Sequence, residues 1–306
     1  MLRTMLAAAF ALALALPAAA TVTPFPPGFQ AHDVDVGDGV AIHVRVGGQG
    51  PAVLMLHGFG DTGDMWAPLA AVMVKDHTVI VPDLRGFGDS THTDKGLEKK
   101  VEAEDIEKVV QALHVARFDL VTHDIGNMVG YALAAQHPEQ VTRWVAMDAP
   151  LPGIGHWDDQ LKNPKTWHFN FYGPDEERLV AGRERIYLDR FWDELSANPA
   201  AIDEATRAHY AAIYSRPGAI HSAFQTFAAF PRDAVDNQAF LAKGKLAMPV
   251  LAIGGDHSYG TGLAGELAFV ASDVKAVSIA NSGHWLMEEQ PDATMAAILA
   301  FLAPRR

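Results

Sequence analysis

The residue in this sequence with the most chemistry to offer is Asp124, set in the stretch DLVTHDIGNMVGYALAAQHP where an apolar run gives way to a helical pattern. An aspartate just after a strand often serves only as the N-cap of the next helix. As a reactant, though, a carboxylate is ionised at neutral pH and can attack without a base to activate it. Attack on an ester carbonyl would give an anhydride. Attack on a saturated carbon bearing a leaving group gives an ordinary ester of the aspartate. Releasing product from that ester takes a water and a base, work suited to histidine near neutral pH. Epoxides and carbon–halogen bonds fit these two steps. Cysteine is absent, which excludes thiol catalysis, iron–sulfur clusters and cysteine-based zinc sites. The 14 histidines form no H-E-x-x-H or similar ligand spacing, so neither a metal nor an organic cofactor is expected.

The elements around Asp124 must hold it at a turn. VDVGDGVAIHVRVGG reads as two strands joined at Gly37-Asp38-Gly39. PAVLMLHG, HTVIVPD, RFDLVTH and VTRWVAMD read as strands, with helices over DMWAPLAAVMVKD, LEKKVEAEDIEKVVQALHV and IGNMVGYALAAQH. The helix after Leu97 is acidic and amphipathic, which predicts a solvated face. This alternation predicts an α/β fold, a mostly parallel sheet with helices on both faces. The rhythm breaks at APLPGIGHWDD, and residues 151–235 carry helical patterns rich in Trp, Phe, Tyr and His. MPVLAIGGDH, VKAVSIANSGHW and DATMAAILAFLA then restore it. The expected organisation is a core over 21–150 and 236–306 with an inserted helical cap over 151–235.

Strand, turn and helix around Thr122-His123-Asp124-Ile125-Gly126 resemble the nucleophile elbow of α/β-hydrolases, with Asp in place of Ser. The resemblance implies an oxyanion hole from the amides of Phe59, in LHGFGDTGDMW, and Ile125. It also implies a general base at His284, in NSGHWLMEEQP. Asp148, ending the strand after the elbow helix, is the expected partner of that histidine. Many members of the fold carry the acid after the next strand instead, and the matching slot past Gly255 is Ser258. Asp256, two residues early, is the second choice. The order of nucleophile, acid and base is specific enough to predict the α/β-hydrolase fold.

HGFGDT, FDLVTHDIGNM, VAMDAPLP, TWHFNFYGPDE, LVAGRERIYLDRF, MPVLAIGGDHSYGTG and SGHWLMEEQP are together similar to the Cif family of secreted bacterial epoxide hydrolases. The similarity spans nearly all of the chain after residue 20, cap included. It implies ring opening assisted by a histidine, here His168, and a cap tyrosine, whose position falls on Phe227. It implies a relay acid after the same strand as Asp148, although that acid is typically Glu. Since Phe227 has no hydroxyl, three options stand: His168 acts alone, Tyr210, Tyr214 or Tyr172 serves instead, or the reaction is not ring opening. The expected substrate pocket comprises Phe227, Trp167, Tyr210 and Tyr214. Fluoroacetate dehalogenases of this fold carry arginines one and four residues past the nucleophile. Here those positions are Ile125 and Met128, which argues against a haloacid substrate.

The expected function is therefore an epoxide hydrolase acting on small hydrophobic epoxides. A haloalkane dehalogenase with the same nucleophile is the alternative. A binding or effector protein on a hydrolase scaffold is a third reading, opposed by the intact set of Asp124, His284 and Asp148. The first 20 residues, one arginine before an apolar run and Ala18-Ala19-Ala20, read as a secretory signal peptide cleaved near Ala20, which predicts a secreted or periplasmic protein. The run is too short to span a bilayer. A formal charge of −13 argues against nucleic acid or an anionic membrane as partner. Family members often dimerise, so a homodimer is open. His57 and His123 flank the site and read as structural, as does the loop bearing Asp83, Arg85 and Asp89. Of the cap aromatics Trp157, Trp167, Phe169 and Phe171, at least half are expected in the core.

Overall fold

Short runs of Val, Ile, Leu and Met, each too short for a helix and bounded by Gly, Pro or Asp, form the central strands in the computed structural model, which describes residues 22–304. The expected signal peptide lies outside the described residues. The strands are β1 (Gln30–Gly37), β2 (Val40–Gly47), β3 (Ala52–Leu56), β4 (Thr78–Pro82), β5 (Phe118–His123), β6 (Val141–Met147), β7 (Val250–Gly255) and β8 (Val274–Ile279). They form one sheet in the order β1-β2-β4-β3-β5-β6-β7-β8. β1 pairs with β2, and β2 with β4, in antiparallel sense, whereas every other pairing is parallel. Asp38 and Gly39 both have positive φ (55° and 76°), as the tight β1–β2 turn requires.

Because side chains alternate along a strand, the sheet feeds two cores. Leu54, Leu56, Ile80 and Leu120 face one side, where α2 (Lys99–Ala112) and α3 (Ile125–Gln136) pack. Val53, Met55, Val79 and Val121 face the other, against α1 (Ala67–Met73) and the C-terminal helix Pro291–Leu302. Between β6 and β7 the chain forms no strand and carries the helices α4 (Trp157–Lys162), α5 (Pro174–Val180), α6 (Glu184–Glu194), α7 (Glu204–Tyr214), α8 (Ala219–Ala228) and α9 (Phe230–Leu241). Helix α9 runs across residue 235, so the expected end of the cap falls inside a helix. Its last turn is held by Phe240, buried against Tyr131 of α3. The remaining helices are α10 (Leu263–Leu267), α11 (Leu286–Glu289) and α12, the Pro291–Leu302 helix. No helix among the described residues is long and apolar enough to cross a membrane.

Helix α2 departs from the sequence expectation. Lys99, Glu102 and Asp105 are buried rather than solvated. Lys99 and Glu102 pair within the helix, but Arg85 and Asp233 lie beyond the reach of helical periodicity. Asp105 takes two hydrogen bonds from Arg85 (2.6 and 2.7 Å). Lys99 Nζ sits 2.8 Å from Glu102 and 3.9 Å from Asp233 on α9, while the Lys99 amide donates to Asp233 (2.8 Å). This buried triad ties the cap to the core. Burial pushes the Glu102 carboxyl up to about 7 and that of Asp233 up to about 6, even beside the lysine.

Lys99→Met is therefore expected to cost about 3–5 kcal/mol at pH 7.5, since two buried carboxylates lose their cation. Carboxyls whose pKa is raised on folding make stability fall as pH rises from the unfolded value, near 4, to the folded one. The variant's deficit should accordingly shrink toward pH 5, where both acids bind protons. Urea denaturation at the two pH values measures it, and an equal deficit at both would contradict the charge argument.

Candidate active site

Asp124 sits between β5 and α3 at φ 51°, ψ −122°, a strained backbone for a non-glycine residue. Small neighbours permit it. A Cβ on Gly126 would meet the Leu56 and His57 carbonyls at 2.6 and 2.7 Å, and one on Gly58 would lie 2.7 Å from the Asp124 Cβ. Thr122, larger than the usual first residue of such an elbow, fits because its hydroxyl donates to Asn127 (2.6 Å) and accepts from the Trp144 indole (2.8 Å).

The turn divides the work of the two carboxylate oxygens. Oδ1 accepts from the Phe59 amide at 2.8 Å, and the Ile125 amide also hydrogen-bonds the carboxylate. Oδ2 lies 3.7 Å from His284 Nε2. Burial pushes the Asp124 carboxyl up, but the charge of His284 and the two amides outweigh it and hold the group below its ordinary range. One oxygen is thus parked in the expected oxyanion hole and the other is left available.

His284 comes from the loop after β8, where its amide donates to the Leu195 carbonyl beneath the cap (2.8 Å). Its Nδ1 is 3.0 Å from Asp148 Oδ2. Burial alone would lower its pKa, yet the bond to Asp148 and the charges of Asp124 and Asp148 raise it. Asp148, also at positive φ (52°), receives the Ser258 hydroxyl (2.7 Å) and the amides of Gly255 (3.2 Å) and Tyr259 (3.3 Å). The serine in the alternative acid slot therefore braces the acid at the other. Asp256 is turned away, capping the Ser282 amide (3.1 Å) at the surface.

A cavity of about 630 Å³ opens over Asp124. His168 lines the same cavity, its Nδ1 buried without a partner. Burial lowers its pKa to about 3, so it is a neutral imidazole at pH 7. Phe59, Phe169, Phe191, Leu195 and Trp285 give the cavity apolar walls near the reactants, and Asn163, Lys165 and Glu194 lie on its lining from the cap.

The four expected pocket residues are not on this lining. Phe227 is buried behind Phe59 and His168, with ring centroids at 4.8 and 5.4 Å. Trp167 carries the Arg190 guanidinium on its face at 4.1 Å. The Tyr214 hydroxyl accepts from the Gly60 amide (2.7 Å) and donates to the Asp61 carbonyl (3.1 Å), holding the loop that bears Phe59. Tyr210 is buried in α7. All four support the site from behind, because the cap's aromatic cluster is several side chains deep. Phe191, Leu195, Trp285 and Tyr259 take their place on the wall. No spacing signal marked them, since they converge from α6, the base loop and the turn after β7.

His57 and His123 are structural. His57 Nε2 accepts from the Leu84 amide (2.9 Å), and Nδ1 donates to the Gly58 carbonyl (2.8 Å). His123 Nε2 donates to the His284 carbonyl (2.9 Å), and burial keeps it neutral, with a pKa of about 4. Asp83 collects the Gly63 and Asp89 amides and Arg45.

A doubly flanked sheet with a carboxylate elbow, a His–Asp pair and a helical cap defines an α/β-hydrolase. The chain belongs to the alpha/beta hydrolase fold family, whose sequence pattern it matches over residues 51–291, and it is a hydrolase. Among its relatives is the soluble epoxide hydrolase of Corynebacterium sp. (strain C12), 31% identical over 277 residues that cover 88% of this chain and 96% of the relative. A fluoroacetate dehalogenase of Burkholderia sp. is 29% identical, covering 91% and 95%. The crystal structure of wild-type Cfl2 from Burkholderia cenocepacia superposes with a TM-score of 0.84 at 32% identity, covering 91% of this chain and 98% of that one.

Proposed function

We propose that the enzyme opens small hydrophobic epoxides through an ester on Asp124 and releases vicinal diols. Oδ2 attacks the less hindered ring carbon while His168 donates a hydrogen bond to the departing oxygen. His284, oriented by Asp148, then takes a proton from water, which adds to the ester carbonyl. That carbonyl oxygen is Oδ1, already 2.8 Å from the Phe59 amide, and the Ile125 amide also bonds this carboxylate, where the tetrahedral oxyanion needs its donors. The carrying observation is the His168 imidazole, with no partner to its buried Nδ1, in the same cavity as the nucleophile. A ring oxygen becomes an alkoxide and must gain a proton, whereas a departing halide needs hydrogen bonds alone.

The epoxide hydrolase relative supports this reading. The dehalogenase relative favours a carbon–halogen bond as the second reading. Against a haloacid, both positions that would bind its carboxylate are filled by buried Ile125 and Met128. Against a halide site, the Trp285 indole N–H is spent on the Phe191 carbonyl (3.3 Å).

The test uses a His284→Gln variant, in which the first step survives and the second stalls. Mass spectrometry after incubation with 1,2-epoxypropane or 1-bromopropane should show an adduct of the full epoxide mass on the peptide bearing Asp124. An alkyl adduct from the bromide with none from the epoxide would favour the dehalogenase.

A further inference from the structure

The leaving oxygen needs more than His168 offers, because a neutral imidazole is a poor acid, and the expected second donor is missing at Phe227. The chain has six tyrosines. Tyr131 packs on Phe240, Tyr214 is committed to Gly60 and Asp61, and Tyr210 is buried in α7. Tyr187 has a buried, partnerless hydroxyl, but Phe59, Trp167, Phe171, Phe191 and Phe224 ring it and it does not reach the cavity lining. Tyr172 is likewise off the lining. Tyr259 alone of the six lines the cavity that holds Asp124, His168 and His284.

We infer that Tyr259, from the turn after β7 in the core and not from the cap, is the second proton donor to the opening ring. Its backbone is fixed on both sides: its amide donates to Asp148 (3.3 Å) and its carbonyl accepts from the Gly262 amide (2.9 Å). Its hydroxyl has no protein partner among the described residues. The same turn supplies Ser258 to Asp148, so one short loop both braces the relay acid and places Tyr259 on the cavity wall. Burial, with the charges of Asp148, Glu266 and Asp124, pushes the phenol up, so it keeps its proton at neutral pH.

The step balances. As the Asp124 Oδ2–carbon bond forms, the carbon–oxygen bond of the ring breaks and its electron pair stays on oxygen. That oxygen takes the phenolic proton, leaving a Tyr259 phenolate. Hydrolysis of the ester regenerates ionised Asp124 and yields one proton, which restores the phenol.

The assignment rests on ring opening being the first step, and the experiment separates the two. Ester formation on Asp124 is timed in His284→Gln and in His284→Gln/Tyr259→Phe, with 1,2-epoxypropane and with its 3,3,3-trifluoro analogue. Removing the hydroxyl leaves the backbone bonds to Asp148 intact. The expected result is ester formation at least about tenfold slower with epoxypropane, general-acid donors contributing about 10²–10⁴ and His168 remaining. The deficit should shrink with the trifluoro epoxide, whose alkoxide needs less help. A merely structural tyrosine would slow both epoxides by the same factor, and that outcome overturns the assignment. Equal rates with and without the hydroxyl overturn it too, while leaving ring opening in place. No epoxide adduct on His284→Gln itself removes the ring-opening reading, and this inference with it.

Discussion

Asp124→Ala is expected to abolish epoxide turnover, by about 10⁴–10⁶ in kcat, the scale seen when the nucleophile of a covalent mechanism is removed. No nearby group can substitute. His57 has both ring nitrogens on the backbone, and His123 Nε2 is held by the His284 carbonyl, its pKa lowered to about 4 by burial. Asp61 lies buried with its carboxyl pushed well up by burial and the charges of Glu288 and Asp124. The fold should survive, because the cavity supplies water to the freed Phe59 amide and a buried charge is relieved. The melting temperature is therefore expected to hold or rise, a common trade where a site stores electrostatic strain. Turnover of 1,2-epoxypropane and a thermal melt on the same preparation check both halves. Residual activity within about tenfold of the intact enzyme would remove Asp124 from the mechanism.

Asp148→Asn should strike the second step alone. Its carboxylate accepts from His284 Nδ1, which fixes the tautomer with Nε2 free to take a proton from water. Ser258 and the Gly255 and Tyr259 amides already donate to both carboxylate oxygens. An asparagine must therefore either lose donors or turn its NH₂ toward His284 and force the wrong tautomer. Ester hydrolysis is expected to slow by about 10³–10⁴, as when the acid of a Ser-His-Asp triad becomes an amide. Ester formation should continue, so the Asp124 adduct accumulates without any change at His284.

The pH profile gives an independent reading. In the free enzyme the bond to Asp148 and the charges of both carboxylates raise the His284 pKa against burial, which lowers it. A base must be neutral, so ester hydrolysis rises with pH through that pKa. Esterifying Asp124 removes one of the raising charges and Asp148→Asn removes the other. The acid limb of ester decay should therefore move to lower pH in the variant, even as its plateau falls. Single-turnover decay from pH 5 to 9 measures both. A limb that stays in place would assign Asp148 to packing alone, and Asp256→Asn, an exposed residue bonded to the Ser282 amide and not to His284, is the control with neither effect.

The sequence by itself determined the sheet, the elbow and which residue stands at its turn. Short apolar runs bounded by turn residues make strands wherever they occur, and the glycine at 126 is a local condition of the turn that holds Asp124, whereas Gly58 meets that turn through the fold. The choice of Asp over Ser limits the chemistry before any fold is known. Asp148 as the base's partner was legible because it sits at a strand end, next to the strand carrying the alternative acid. Only the tertiary structure decided what surrounds those residues. Helical period located α2 but not Asp233 or Arg85, which turn its charged face inward. Aromatic residues fill the cap, and periodicity cannot tell the layer facing the cavity from the layer behind it. Hence Phe191 and Trp285 line the site while Phe227, Trp167, Tyr210 and Tyr214 support it. Tyr259 lies between the two cases: it was in view in GGDHSYGTG, yet its relation to Asp124 depends on the turn after β7 folding back over the end of β6. Local pattern records what each residue prefers, and long-range packing determines which residues meet.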